Sequence, residues 1–189
     1  LVQRTTERLY AATHRQPPPT FVRVAYCSPR QVVLITVRDG AREDVWPIDW
    51  HTPLSMEPQR YCICVYSKGH GTELLMASRC FVVNFVPDAW HRTVLLCGNM
   101  SGRDADKFAA AGLQRRDAEV VDAPRLEGTL GFLECEVEQI IDFGDRLLVI
   151  GRVCHAALVA PVAQMFHVSS DVTDQQGDGL SMIYSFFAS

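Results

Sequence analysis

The chain has 189 residues, 48% of them hydrophobic, with 18 basic and 22 acidic side chains and a net charge of −4. That length supports one domain with a real core, able to bury roughly 70% of the surface its unfolded chain exposes. The interspersed, slightly acidic charge leaves no basic footprint for nucleic acid, and no apolar run is long enough for a membrane-spanning helix.

Leu1-Val2-Gln3-Arg4 has no apolar signal-peptide core, and the missing initiator Met suggests a trimmed or partial chain. Residues 1–12 can form a short helix. His14-Arg15-Gln16-Pro17-Pro18-Pro19 reads as a stiff extended arm, because consecutive prolines hold a polyproline conformation. Phe21 to Cys27 is a short strand. Gln31 to Arg38, rich in β-branched residues, is the first strong strand, and Asp39-Gly40 is its turn. Asp44 to Pro58 carries Pro47, Pro53 and Pro58, which exclude a helix and a central strand. An edge strand with an irregular loop is expected there, with Trp46 and Trp50 covering the core or walling a flat ligand.

A strand over 60–66 puts Tyr61, Ile63 and Val65 on one face. It runs into Tyr66-Ser67-Lys68-Gly69-His70-Gly71-Thr72 and a helix over 72–78. Two glycines let the backbone bend there, Thr72 reads as the N-cap, and Lys68 and His70 add cationic or donating side chains. Free N–H groups at a helix start beside a Lys and a hydroxyl fit a phosphate; the bland alternative is an ordinary capped joint.

Cys80 to Val86 is a further strand, and Pro87-Asp88 opens a helix ending at Cys97-Gly98. Residues 101–113 make a short helix capped by Ser101 or Asp104, with Gly112 as its left-handed stop and Lys107 on a solvated face. In 130–137, Leu133, Cys135 and Val137 oppose Glu134 and Glu136, a half-exposed antiparallel strand. Gly144-Asp145 is a hairpin turn. Leu147 to Val159 is a long strand bent at Gly151, Val168 to Ser181 is a mobile loop, and 182–187 is a last strand. Seven cysteines sit singly with no C-x-x-C spacing. Cys62 and Cys64 alone do not make a metal site, so buried free thiols in a reducing cytoplasm are expected. About seven strands with short helices predict a mainly β fold: an antiparallel barrel over 21–160, preceded by an arm over 1–20 and followed by a loop and strand over 161–189.

Taken in order, several of these pieces resemble the flavin reductase-like, FMN-binding split-barrel family. They are Pro29-Arg30-Gln31-Val32-Val33-Leu34-Ile35-Thr36 with Asp39-Gly40, Trp46-Pro47-Ile48-Asp49-Trp50, Ser55-Met56-Glu57-Pro58, Gly69-His70-Gly71-Thr72-Glu73-Leu74, Ser101-Gly102-Arg103-Asp104-Ala105-Asp106-Lys107-Phe108, Leu133-Glu134-Cys135-Glu136-Val137 and Gly151-Arg152-Val153. The resemblance implies a Greek-key barrel of six to seven strands, usually a homodimer with FMN near the interface. It implies that Trp46, Pro47, Ile48, Asp49 and Trp50 run along the isoalloxazine ring. Tyr66, Ser67, Lys68, His70 and Thr72 would hold the ribityl chain and phosphate, and Ser101, Arg103 and Lys107 would close over the phosphate. The implied activity is hydride transfer from NAD(P)H to flavin, with a monooxygenase or another electron acceptor as partner and no side chain in a covalent role.

Three positions depart from the family. Asp44 stands where Asn is usual, Asp49 where Ser is usual, and Arg146 where His commonly follows Gly144-Asp145. Two carboxylates beside the ring would oppose an anionic reduced flavin. A flavin-binding electron carrier without enzymatic activity, and a barrel that has exchanged flavin for another planar ligand, are the alternatives.

Overall fold

The structure, a computed structural model, describes residues 29–160, 163–169 and 183–184. The expected helix over 1–12, the proline arm, the strand over 21–27 and the loop over 170–181 lie outside them. Along the chain run β1 (Arg30–Gln31), β2 (Val33–Asp39), β3 (Arg42–Ile48), β4 (His51–Met56), β5 (Gln59–Tyr66), α1 (His70–Ser78), β6 (Cys80–Phe85), a 3-10 turn (Asp88–Trp90), α2 (His91–Asn99) and α3 (Lys107–Ala111). β7 (Arg115–Asp117), β8 (Pro124–Leu126), β9 (Gly131–Asp142), β10 (Arg146–Leu158), β11 (Phe166–Ser169) and β12 (Ile183–Tyr184) complete the set. Val168 and Ser169, expected in a loop, therefore belong to β11, which pairs with β1 and β12.

Seven strands form one antiparallel sheet in the order β3-β2-β6-β9-β10-β5-β4. The sheet rolls up because its two halves share one interior. Val33, Ile35 and Val37 of β2 meet Ile63 and Val65 of β5, Phe81 and Val83 of β6, and Leu74 and Leu75 of α1. Each such side chain contributes about 1.5–3 kcal/mol by burial. The opposite faces of β2 and β3 are covered too, with Val32, Leu34 and Val45 packing under Val94, Cys97 and Phe108 of α2 and α3. Coverage on both faces explains why 32–37 reads as an unbroken apolar run rather than an alternating one.

The prolines of the 44–58 segment fall where the ladder has no second neighbour. Pro47 lies in β3 and Pro53 in β4, the two end strands of the sheet, so the expected irregular loop is two edge strands joined at Asp49–Trp50. Gly151 marks a register shift in β10, and a Cβ there would stand 2.8 Å from the Phe81 ring. Glu134 is not half-exposed as the alternation implies. It is fully buried beneath the 118–123 loop, accepting from the N–H groups of Glu119 (3.0 Å) and Val120 (2.7 Å), with Arg125 at 3.4 Å. Among the described residues no helix is long and apolar enough to cross a membrane.

Candidate functional site

β5 ends at Tyr66, and a three-residue turn delivers the chain to α1. Gly69 is the N-cap, with φ −70° and ψ 146°, and the first intrahelical bond runs from Glu73 N to Gly69 O at 3.1 Å. The N–H groups of His70, Gly71 and Thr72 therefore lack intrahelical acceptors and carry the positive end of the helix dipole. Thr72 is not the cap. It sits inside the first turn, buried, and its hydroxyl donates to Tyr66 O at 2.8 Å. The structure thus leaves the backbone of this corner, rather than the Thr72 hydroxyl, as the free donor. Ser67 is also engaged elsewhere: its hydroxyl donates to Gly144 O at 2.8 Å and its N–H to Asp145 O at 3.0 Å, which ties the turn to the β9–β10 hairpin.

β3 supplies the facing wall. The Trp46 ring lies directly on Gly71, where a Cβ would stand 2.2 Å from ring carbon Cζ3, so only glycine permits this contact. Two residues earlier on the same face, Asp44 is 2% exposed and pairs with Lys107 at 2.9 Å. Lys107, expected on a solvated face, is 5% exposed and also donates to Val45 O at 2.9 Å. The reason is the start of α3: Asp106, not Ser101 or Asp104, caps it, accepting from the N–H groups of Phe108 (2.9 Å) and Ala109 (3.2 Å). That cap turns the next side chain inward onto β3. Gly112 then ends the helix at φ 65°, with Leu113 N bonded to Phe108 O at 2.8 Å, as the sequence predicts.

Between these elements lies a cavity of about 340 Å³. Trp46, Pro47 and Ile48 line it from β3, Tyr66 from the end of β5, Lys68 from the turn, His70 and Thr72 from α1, and Ser101, Arg103 and Lys107 from the loop and α3. Three expected members do not line it. Ser67 is bonded to the hairpin. Asp49 turns to the small outer sheet, its carboxylate accepting from His167 Nδ1 at 2.6 Å and standing 3.8 Å from Arg30. Trp50 packs beside two guanidinium groups, Arg30 at 5.5 Å and Arg146 at 5.3 Å from its ring centre.

Arg146 is the cavity residue that the resemblance flagged only as a departure; it also lies 5.5 Å from the Tyr66 ring centre. Cys64 and Met100 line the cavity as well and carry no signal in the sequence. On β4, the half-buried His51 ring donates from Nε2 to Gln31 O at 2.9 Å, so its Nδ1 accepts from the Tyr61 hydroxyl at 2.6 Å. Burial pushes the His51 imidazole below its ordinary value.

The charges sort into pairs. Lys107 and Asp44 cancel. Arg103 bonds to Glu73 and holds that carboxyl below its usual range. Lys68, exposed, enters no salt bridge among the described residues. His70 Nδ1 is buried without a hydrogen bond, with Glu73 Oε2 at 3.5 Å. No cluster of His, Cys, Asp and Glu among the described residues could hold a metal ion. A flat apolar wall, three free backbone donors and a free ammonium suit a planar heterocycle that carries a phosphate.

Comparisons with known proteins point the same way. A profile for the flavin reductase like domain matches residues 25–176. The reductase subunit HsaB of a flavin-dependent monooxygenase from Rhodococcus jostii is 28% identical over 122 residues, 65% of this chain and 60% of that subunit, so the similarity spans less than two thirds of the relative. The crystal structure of an FMN-binding protein from Thermus thermophilus superposes with a TM-score of 0.71 at 25% identity, covering 82% of this chain and 89% of that one. Flavoredoxin of Desulfovibrio vulgaris shares the fold, with a TM-score of 0.76 at 17% identity over 93% of this chain and 94% of its own.

Proposed function

This chain belongs to the flavin reductase like domain family, and from that premise we propose that it binds FMN in the cavity beside α1 and passes electrons from NAD(P)H through it to a partner such as a flavin-dependent monooxygenase. The observation that carries the reading is the corner where Trp46 lies on Gly71 while the first N–H groups of α1 point outward beside Lys68. Trp46, Pro47 and Ile48 supply the flat wall for the ring. The N–H groups of His70, Gly71 and Thr72, with Lys68, receive the phosphate. Ser101 and Arg103 approach it from the other side. Bound flavin supplies hydride and electron chemistry; the protein positions it and sets the charge around it.

The charge pattern favours that chemistry more than the sequence alone suggested. Asp44 is neutralised by Lys107, and Asp49 faces His167 and Arg30, so neither brings an unopposed negative charge to the cavity. Arg146 adds a cation to its wall. A two-fold homodimer in a reducing cytoplasm is the assembly and setting we propose. Exposed apolar side chains at Met56, Phe143 and Leu158 offer surface for it, and the described cysteines are free thiols.

Titrating the protein with FMN while following flavin fluorescence tests the binding, and NADH oxidation with the loaded protein tests the activity. Saturable binding with NADH turnover is expected. Binding without turnover would leave an electron carrier, and absence of binding at saturating FMN would refute the reading. Light scattering checks the dimer, and a monomer at micromolar concentration would exclude it.

A further inference from the structure

The side chains at the phosphate end of the proposed FMN site are committed to different degrees. Lys107 is held in a buried pair with Asp44, and the Thr72 hydroxyl donates to Tyr66 O. Arg103 is engaged at the surface instead: its Nη2 bonds to Glu73 Oε1, with the two side chains 43% and 55% exposed. The other oxygen of that carboxylate, Oε2, stands 3.5 Å from His70 Nδ1. One carboxylate thus faces both an arginine and a histidine of the cavity wall. Glu73 itself lines an adjoining hollow of about 710 Å³, which shares His70, Gly102 and Arg103 with the FMN cavity. Gly102 fixes the joint between the two spaces, because a Cβ there would stand 2.5 Å from Asp44 Oδ1 and 2.9 Å from the His70 ring. Ser101 Oγ accepts from Arg103 N at 3.2 Å. The Arg103 backbone is therefore held at the joint, and its long side chain can serve either space.

We propose that Glu73 is a built-in competitor for the FMN phosphate: it holds Arg103 on the side of the larger hollow, and the phosphate must displace it to gain the guanidinium. The inference rests on the FMN reading above and adds the residue that sets how tightly the phosphate is held. The Arg103–Glu73 pair is exposed, and exposed pairs contribute little, so a ligand can break it. A phosphate monoester carries more negative charge than a carboxylate and accepts a guanidinium through two parallel bonds, so it can win the exchange. The competitor is also anchored. Glu73 lies in the first turn of α1, where the helix dipole favours a negative side chain, and its N–H bonds to Gly69 O at 3.1 Å. The helix end that draws the phosphate therefore carries an anion beside it. Glu73 stays ionised at neutral pH, because the bond from Arg103 holds its carboxyl below the usual range. FMN is then held less tightly than the donors around it would allow. Riboflavin, the same ring and ribityl chain without the phosphate, is indifferent to Glu73.

The test is equilibrium titration of the full chain with FMN and with riboflavin, read by flavin fluorescence, for the wild type, Glu73→Gln, Arg103→Gln and the double variant. Glu73→Gln keeps the size of the side chain and removes its charge. It should tighten FMN binding by about three- to fivefold, the range expected for releasing one exposed ion pair, and leave riboflavin affinity within about twofold. Arg103→Gln should take that gain away, so that the double variant binds FMN no more tightly than the wild type. Retained riboflavin binding shows that each variant is folded. An FMN affinity that is unchanged or weaker in Glu73→Gln overturns the proposal and makes Glu73 a support that positions Arg103 for the ligand. A gain that survives in the double variant, or an equal gain for riboflavin, assigns the effect to charge or packing away from Arg103 and also overturns it, with flavin binding left intact. Failure of the wild type to bind either flavin overturns the FMN reading itself.

Discussion

Asp44→Asn is the substitution that tests the structure most directly, because it keeps the size of the side chain while removing half of a buried ion pair. Asp44 and Lys107 are 2% and 5% exposed, with Nζ and Oδ1 2.9 Å apart. At that distance and an effective dielectric near 20, the attraction is about 6 kcal/mol, much of it offset by the desolvation of both ions. The useful quantity is the cost of removing one partner and stranding the other, which is about 3–5 kcal/mol for buried pairs. Lys107 keeps its bond to Val45 O, and Asn offers a carbonyl oxygen, so the lower end, about 3 kcal/mol, is expected for Asp44→Asn. Lys107→Met strands the carboxylate, whose Oδ1 then retains only the Val45 N–H at 2.8 Å, and should cost more.

Urea unfolding of Asp44→Asn, Lys107→Met and the double variant is the assay. With a slope of about 2–3 kcal/mol per molar urea, a 3 kcal/mol loss lowers the midpoint by about 1–1.5 M. The double variant should recover most of that loss, because it leaves no unpaired buried charge. Single variants within 0.5 kcal/mol of the wild type, or a double variant as destabilised as the sum of the singles, would refute the pairing. The flavin gives a second readout. Asp44→Asn leaves an uncompensated cation in the cavity wall, so the midpoint potential of bound flavin should rise.

Asp49→Ser should cost about 1–2 kcal/mol of stability, read by thermal unfolding, through the lost charged bond to His167, and should leave flavin potential unchanged; a shifted potential would return Asp49 to the cavity. Gly71→Ala drives a methyl group into the Trp46 ring, so intrinsic fluorescence should change and flavin affinity fall by about tenfold or more; unchanged affinity would separate the Trp46–Gly71 contact from the binding site. His51 is held neutral by burial, with a folded-state value below the 6.5 of the unfolded chain. The unfolded state then takes up the extra proton, so stability is full above about pH 6.5 and falls as the pH drops toward the folded value. His51→Gln should flatten that dependence in urea unfolding between pH 5 and 7.5, and an unchanged slope would assign the acid sensitivity to another group.

The barrel was legible because its signals are backbone signals. Alternation in 61–65, the β-branched run over 32–37, prolines confined to edge strands and the Gly112 stop each follow from local chemistry, and the structure repeats them. The site was legible as a set of segments rather than as side-chain roles. The 46–48, 66–72 and 101–107 segments do converge on one cavity, yet Thr72 spends its hydroxyl on the carbonyl of Tyr66 and Ser67 spends its own on the carbonyl of Gly144 in the β9–β10 hairpin. A hydroxyl in a glycine-rich turn looks the same in sequence whether it faces a ligand or its own backbone.

Charge was the least legible property, since a residue type gives the sign of a charge while only the fold gives its partner. Asp44 and Asp49 read as two added negative charges near the ring, and the pairing that removes the first comes from sixty-three positions away, set by Asp106 capping α3 and turning Lys107 inward. The second is drawn off by His167 on β11 and Arg30 on β1, elements too short to announce themselves in the sequence. Arg146 needed no distant partner to reach the cavity, only its place at the start of β10 beside Tyr66. The three departures from the family pattern therefore do not act in the same direction. Asp44 and Asp49 are paired within the fold, and Arg146, with Asp145 at 3.8 Å, keeps its guanidinium beside Trp50 and Tyr66 at the cavity wall, so the charge the cavity presents is not the sum of the residue charges read from the sequence.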